Sequence, residues 1–142
     1  YIDQNGEKKV PFVIHRSSIG CYERTIAMLT EKYAGAFPLW ISPVQVKLLS
    51  VTDRSVEYTK SVAEKLTYAG IRVETDFRSE KIGRKIRDAQ LEKVPYMLIL
   101  GDKEVENGST VSVRERSGES YEMTTKDFIS KVVTEDKNKV IR

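Results

Sequence analysis

The run His15-Arg16-Ser17-Ser18-Ile19-Gly20-Cys21-Tyr22-Glu23-Arg24 places a histidine at the end of an apolar stretch, a glycine in the turn that follows, and two arginines around a helix start. A helix N-terminus beside an arginine favours phosphate, because unpaired N–H groups and the positive end of the helix dipole both complement anionic oxygens. His15 has the side chain of a metal ligand and equally that of an ordinary strand-end histidine. Arg24 suits a phosphate or a solvated helix face, and Cys21 suits a metal or the packing of a small apolar residue. A second constellation lies between Arg78 and Lys93. Six basic residues (Arg78, Lys81, Arg84, Lys85, Arg87, Lys93) face three acidic ones (Glu80, Asp88, Glu92) there. Such an excess makes a positive edge for a polyanion or a plain solvated helix face. Glu104 and Arg114 form the third: a carboxylate accepts from guanine N1–H and the exocyclic amine, and an arginine fork donates to base acceptors. The same two residues also suit a surface ion pair.

The elements that position these groups can be read from periodicity. Asn5-Gly6 is a hairpin signal, and the apolar residues 10–14 after it predict a strand ending at His15. Ile19, Tyr22, Ile26, Leu29 and Tyr33 recur at helical spacing, predicting a helix over 19–34 with Gly35 as its C-cap. Pro38 and Pro43 then interrupt the pattern and mark a junction near Pro38. Beyond it the chain alternates: strand 44–51, helix 55–69 closed by Gly70, strand 71–77, helix 80–93, strand 96–100. Strands joined by helices of this length pair in parallel, so the expected architecture is α/β with a mixed, mainly parallel sheet and helices on both faces. The strand 96–100, apolar throughout, belongs at its centre. Asn107-Gly108 predicts a turn, Val111 and Val113 a half-exposed strand, and 123–133 a closing helix with Thr124 as N-cap. The charged tail from Thr134 is expected to fray.

Composition sets the outer bounds. The 142 residues, 39% hydrophobic, suffice for one core and a short extra segment. Twenty-four basic against 21 acidic residues leave a net charge of only +3, so a polyanion site must come from local clustering. One cysteine excludes an internal disulfide and suits a reducing, cytoplasmic setting. No apolar run approaches the ~20 residues of a membrane span, and no signal core opens the chain. No Gly-rich dinucleotide fingerprint or P-loop opens a helix, which argues against a doubly wound nucleotide-binding domain. The chain begins at Tyr1, midway into a strand and turn, and is expected to be a fragment.

His15-Arg16-x-x-x-Gly20-x-x-Glu23-Arg24 resembles motif 3 of the class II aminoacyl-tRNA synthetases in its threonyl version. The second part carries Pro38-Leu39-Trp40-Ile41-Ser42-Pro43-Val44-Gln45-Val46, Ala69-Gly70-Ile71-Arg72-Val73, Glu80-Lys81-Ile82-Gly83, Val94-Pro95-Tyr96-Met97 and Gly101-Asp102-Lys103-Glu104. These resemble, in order, the anticodon-binding domain of the bacterial-type threonyl-tRNA synthetases. The resemblance covers essentially the whole chain. It implies that residues 1–37 are the strand-helix end of a class II catalytic domain and 38–142 an anticodon-binding domain. Arg24 would bind ATP phosphates, Gly20 and Cys21 would belong to the ATP and amino-acid pocket, where the family has Ser for Cys21, and His15 would be one of three zinc ligands. The other two ligands, a Cys and a His, lie upstream in the family.

By the same resemblance Ser79, Arg87, Glu104 and Arg114 match anticodon contacts, with Ser79 replacing the family's Asn. The loop before Arg114 is one residue longer than the family form. The implied parent enzyme activates threonine with ATP and magnesium, transfers it to threonine tRNA and is a homodimer with zinc, not attached to a membrane. Lacking motifs 1 and 2, this fragment alone is expected to bind RNA without catalysing. The alternative left open is a non-catalytic RNA- or partner-binding module of the same fold.

Overall fold

A computed structural model describes residues 1–17 and 20–141. Around the first turn, Gly6 N–H donates to Asp3 O at 3.0 Å and Asp3 N–H to Glu7 O at 2.9 Å, with Gly6 at φ +82°. Only a glycine takes that left-handed position cheaply, so the sequence signal and the turn agree. The strand expected over 10–14 does not form. Its residues carry no regular secondary structure and are exposed, Phe12 fully so, and the turn closes only a single bridge between Ile2 and Lys8. A strand is stable only in a ladder, and no described residue offers it a second one. Helix α1 spans Tyr22–Tyr33. Ile19, expected in its first turn, lies outside the described residues. Its C-terminus closes through Ala34 at φ 49° and Gly35 at φ 76°, and Gly35 N–H donates to Thr30 O at 3.0 Å.

From Pro38 the chain builds a three-layer unit. Its elements are β1 (Val46–Ser50), α2 (Val56–Tyr68), β2 (Val73–Asp76), α3 (Ile82–Leu91), β3 (Tyr96–Leu100), α4 (Asp102–Asn107), β4 (Thr110–Glu115), β5 (Ser120–Thr124) and α5 (Thr125–Lys137). The sheet order is β2-β1-β3-β4-β5. β1 pairs in parallel with β2 and β3, and β4 is antiparallel to β3 and to β5, so the mixed sheet divides two pairings to two. β3 is central, as its continuous apolar run requires.

Alternation sorts the core into two faces. Val46, Leu48, Leu98, Leu100, Val111 and Val113 meet Val62 and Leu66 of α2 and Phe128 and Val132 of α5. Leu49 and Met97 point the other way and meet Ala89, with Ile82 and Ile86 of α3 around them. Two elements correct the sequence reading. α4 was expected only as a turn, and Gly108 at φ 66° is in fact its left-handed C-cap. β5 occupies residues expected to open the last helix: Met123 is in the strand, while Thr124 does cap α5, accepting from Asp127 N–H at 3.1 Å. The tail does not fray at Thr134, because α5 runs on to Lys137 and buries Glu135, whose carboxylate accepts from Tyr96 O–H at 2.7 Å.

At the end of β2 the Asp76 carboxylate is buried and accepts from Arg78 Nη2 at 2.7 Å. That hydrogen bond holds its pKa below the ordinary carboxylate value. A depressed folded pKa contributes stability that is complete above the unfolded value near ~4 and is lost as pH falls through the folded one. Urea midpoints should therefore hold from neutral pH to about 4 and then drop, and Asp76→Asn should give a lower plateau with a shallower acid limb. An identical acid limb in the variant would assign that loss to other carboxylates.

Candidate nucleic-acid interface

On the face of the sheet covered by α3, register aligns two rows of residues. Lys47, Met97, Arg114 and Ser120 form one, and Leu49, Ile99, Ser112 and Glu122 the other. Directly opposed residues share a face, so Arg114 and Ser112 stand side by side on β4, two residues apart. α3 packs its Ile82, Ile86 and Ala89 over the Leu49 and Met97 half. The β4–β5 half keeps polar residues: Ser112 and Arg114 are half-buried, Ser120 and Glu122 exposed. This open half-sheet, walled by α3 on one side and by the start of α4 on the other, is the candidate surface.

Glu104 enters it from the first turn of α4. Its Oε2 accepts from Gly101 N–H at 2.8 Å, closing the helix start, and its Oε1 accepts from Ser112 Oγ at 2.6 Å. The carboxylate is thus fixed over β4 although it is only 8% exposed. Arg114 Nη1 donates to Ser120 Oγ at 3.3 Å, while its Nε is buried with no hydrogen-bond partner among the described residues. A buried donor of this kind costs energy until an acceptor reaches it. Glu104 and Arg114 do not form the ion pair that was one reading of them. Each is held by a serine, which leaves a carboxylate and a guanidinium on the same face. Ser112 was missed in the sequence, although alternation from Arg114 puts it on that face. Beside them Lys103 pairs with Glu122, bracing α4 to β5.

The basic segment resolves into distinct roles. Lys85 points inward and is buried, its Nζ donating to Ser50 O at 2.8 Å and Asp76 O at 3.2 Å. Arg78 is taken up by Asp76 and Asp88, Arg84 by Glu80, and Lys93 by the backbone of Ala34. Lys81 and Arg87 are exposed and make no ion pair among the described residues. Since Asp88 binds Arg78 on the β2 flank of α3, Arg87 lies on the outer side of the helix. Ser79 is exposed in the turn that leads into α3. The positive edge is therefore carried by fewer residues than the count of six implied.

The first constellation is arranged differently. His15 is exposed outside any helix or strand, Gly20 has φ +83°, Cys21 is the exposed N-cap of α1, and Arg24 is exposed in the first turn. No residue of α1 is buried; Tyr22 and Ile26, four residues apart, are exposed on one face, and Met28 is exposed on another. Among the described residues no three His, Cys, Asp or Glu side chains gather as a metal site would require. His15 is the only histidine of the chain, so its residues do not by themselves fit a zinc ion. No helix among the described residues is long and apolar enough to cross a membrane.

Comparison with known proteins bears on the family of the chain. The family model described as "Anticodon binding domain" matches residues 41–135. The threonine-tRNA ligase of Clostridium perfringens is 56% identical over 140 residues, covering 98% of this chain and 22% of that protein. That of Clostridium botulinum is 60% identical over 119 residues, covering 84% and 18%. A crystal structure of the RNA binding domain of threonyl-tRNA synthetase from Cryptosporidium parvum Iowa II superposes with a TM-score of 0.75 at 34% identity, over 79% of this chain and 28% of that one. The chain spans about a fifth of the length of the curated relatives it matches.

Proposed function

The chain belongs to the anticodon-binding domain family, and from that membership we propose that it is the anticodon-reading part of a threonine-tRNA ligase, with residues 38–142 as the reading domain and 1–37 as the adjoining end of a class II catalytic domain. The open half-sheet carries this reading, because it offers a fixed carboxylate and an arginine donor on one face, while Arg87 on the outer side of α3 is exposed and makes no ion pair among the described residues. Single-stranded RNA is read in this way: splayed bases present Watson–Crick edges to side chains, and basic residues hold the phosphates. Glu104 and Arg114 would contact base edges, Ser79 would stand at the entrance from the α3 side, and Arg87 would hold phosphate.

The division near Pro38 follows burial. Pro38 and Leu39 begin the packed unit, whereas α1 buries none of its residues and leaves Tyr22, Ile26 and Met28 exposed, as a helix completed by further chain would. In the parent enzyme Arg24 would meet ATP phosphates, with Gly20 and Cys21 beside it. His15 would supply one of three zinc ligands, the other two coming from outside this chain. That enzyme, a cytoplasmic homodimer, would activate threonine with ATP and magnesium and transfer it to threonine tRNA.

Fluorescence anisotropy with a threonine-anticodon stem-loop tests the reading. The chain should bind it more tightly than a loop whose central guanine is replaced. Arg87→Ala should weaken both loops alike and reduce the salt slope by about one contact. Equal binding of the two loops by the unaltered chain would overturn the proposal.

A further inference from the structure

Side chains of the packed unit hold five backbone carbonyls between α1 and β1, two of them ahead of Pro38. Lys93 Nζ donates to Ala34 O at the end of α1. Arg116 Nη1 donates to Phe37 O at 2.9 Å, Gln45 Nε2 to Leu39 O at 3.0 Å, and Arg72 to Trp40 O and Ser42 O, each at 3.0 Å. Connections between separately folded units ordinarily leave such groups to water and let the units move. Here three charged side chains and Gln45 occupy them, and two stand just past the elements that frame the RNA face. Lys93 follows α3, and Arg116 stands just beyond β4, two residues past Arg114.

Arg116 has the most committed position. Its Nη1 also donates to Lys93 O at 3.2 Å, and its own N–H donates to Pro95 O at 3.0 Å. Burial holds its guanidinium pKa below the ordinary value. A desolvated guanidinium is tolerated where its donors are used, and the acceptors here are backbone carbonyls of the linker and of the turn between α3 and β3. Lys93 adopts φ 58°, a left-handed backbone that a lysine enters only at a cost. From there its ammonium meets the C-terminal end of α1, where the helix dipole favours a cation. Tyr33 and Phe37 close the same joint, their rings edge to face with centroids 6.3 Å apart.

We infer that Arg116, seconded by Lys93, is a positioning residue that locks the 34–37 joint, so that α1 keeps one orientation to the RNA face and RNA held there reaches the rest of the parent enzyme in one geometry. The lock itself rests on the hydrogen bonds above, and its consequence for RNA rests on the proposed function.

The 142-residue chain, spin-labelled at native Cys21 and at Glu64→Cys on α2, should give one narrow distance peak by double electron-electron resonance. Arg116→Met should lose that peak while circular dichroism and stem-loop affinity are kept, and Arg116→Lys, which retains one donor, should restore it. Lys93→Met provides an independent second loss. Unchanged distributions in both methionine variants would overturn the lock. Stem-loop binding weakened by Arg116→Met as much as by Arg114→Met would instead assign Arg116 to RNA contact. In the full-length enzyme, Arg116→Met should lower kcat/KM for tRNA about 5-fold or more, the low end of ordinary site coupling, with threonine-dependent pyrophosphate exchange unchanged. An equal fall in both activities would overturn the positioning role. If the unaltered chain binds no stem-loop, the proposed function fails, and the distance measurement still judges the lock.

Discussion

Glu104→Gln should cost a stem-loop with a central guanine about 1–3 kcal/mol of binding, roughly 5- to 150-fold, and leave a loop with that base replaced nearly unchanged. The carboxylate has two oxygens and about four acceptor positions. Gly101 N–H and Ser112 Oγ occupy one on each oxygen. The remaining positions can accept both N1–H and the exocyclic N–H of a guanine. Glutamine has nearly the same shape, and its one carbonyl oxygen can keep the Gly101 bond that starts α4, so the fold should lose less than ~1 kcal/mol. Its amide nitrogen, however, would present donors where the guanine also presents donors. Glu104→Ala is the poorer probe, because it removes the helix start together with the base acceptor. If Glu104→Gln weakens both loops equally, the carboxylate serves only α4 and Ser112, and base reading must be sought at Arg114, whose buried Nε would then be the more telling feature.

What the sequence disclosed depended on whether a residue's neighbours in space were also its neighbours in the chain. Tyr96-Met97-Leu98-Ile99-Leu100 is apolar at every position, and the central strand β3 has those bounds. Helical spacing likewise located α2 and α3 to within a few residues of their ends. α4 escaped because a helix of six residues completes fewer than two turns and shows no period. β5 escaped because its burial alternates only between exposed and half-buried, and its Met123 also suited the start of a helix. The apolar residues 10–14 have the composition of a strand, yet a ladder needs a partner that no described residue supplies. The candidate site was legible as Glu104 and Arg114 and not as a surface. That Ser112 holds Glu104, and that Arg114 keeps a buried unpaired Nε, follow from strand register and from the contacts of α4, which lie in tertiary structure. The basic segment makes the same point: Lys85 and Arg87 are two residues apart and alike in charge, but one faces the sheet and the other faces away from it.

Lys85→Ala should destabilise the chain by about 3–5 kcal/mol in urea titrations at neutral pH. Lys85 is only 2% exposed, and its stem crosses the α3 layer to the carboxyl ends of two parallel strands. There Nζ donates to Ser50 O at 2.8 Å and to Asp76 O at 3.2 Å, with Asp76 Oδ1 at 4.0 Å. Truncation removes the partner of Ser50 O, takes a cation away from the buried Asp76 and leaves a void between α3 and the sheet. Each unsatisfied buried group costs about 1–3 kcal/mol, and the void adds to that. Lys85→Met separates the contributions: it keeps most of the volume and takes the lysine donor from Ser50 O, while Asp76 O still accepts from Ser50 Oγ at 3.1 Å, so it should cost about 1–3 kcal/mol. Replacing a buried charge by an apolar group can be neutral when its partners are replaced too. Here the partners include backbone carbonyls, which no single substitution removes. A loss below about 1 kcal/mol for Lys85→Met would mean that Ser50 O finds another donor. Because the same lysine pins α3 to the sheet, Lys85→Met should also blur the placement of Arg87 and weaken matched and mismatched loops together, a loss of grip distinct from the loss of discrimination expected at Glu104.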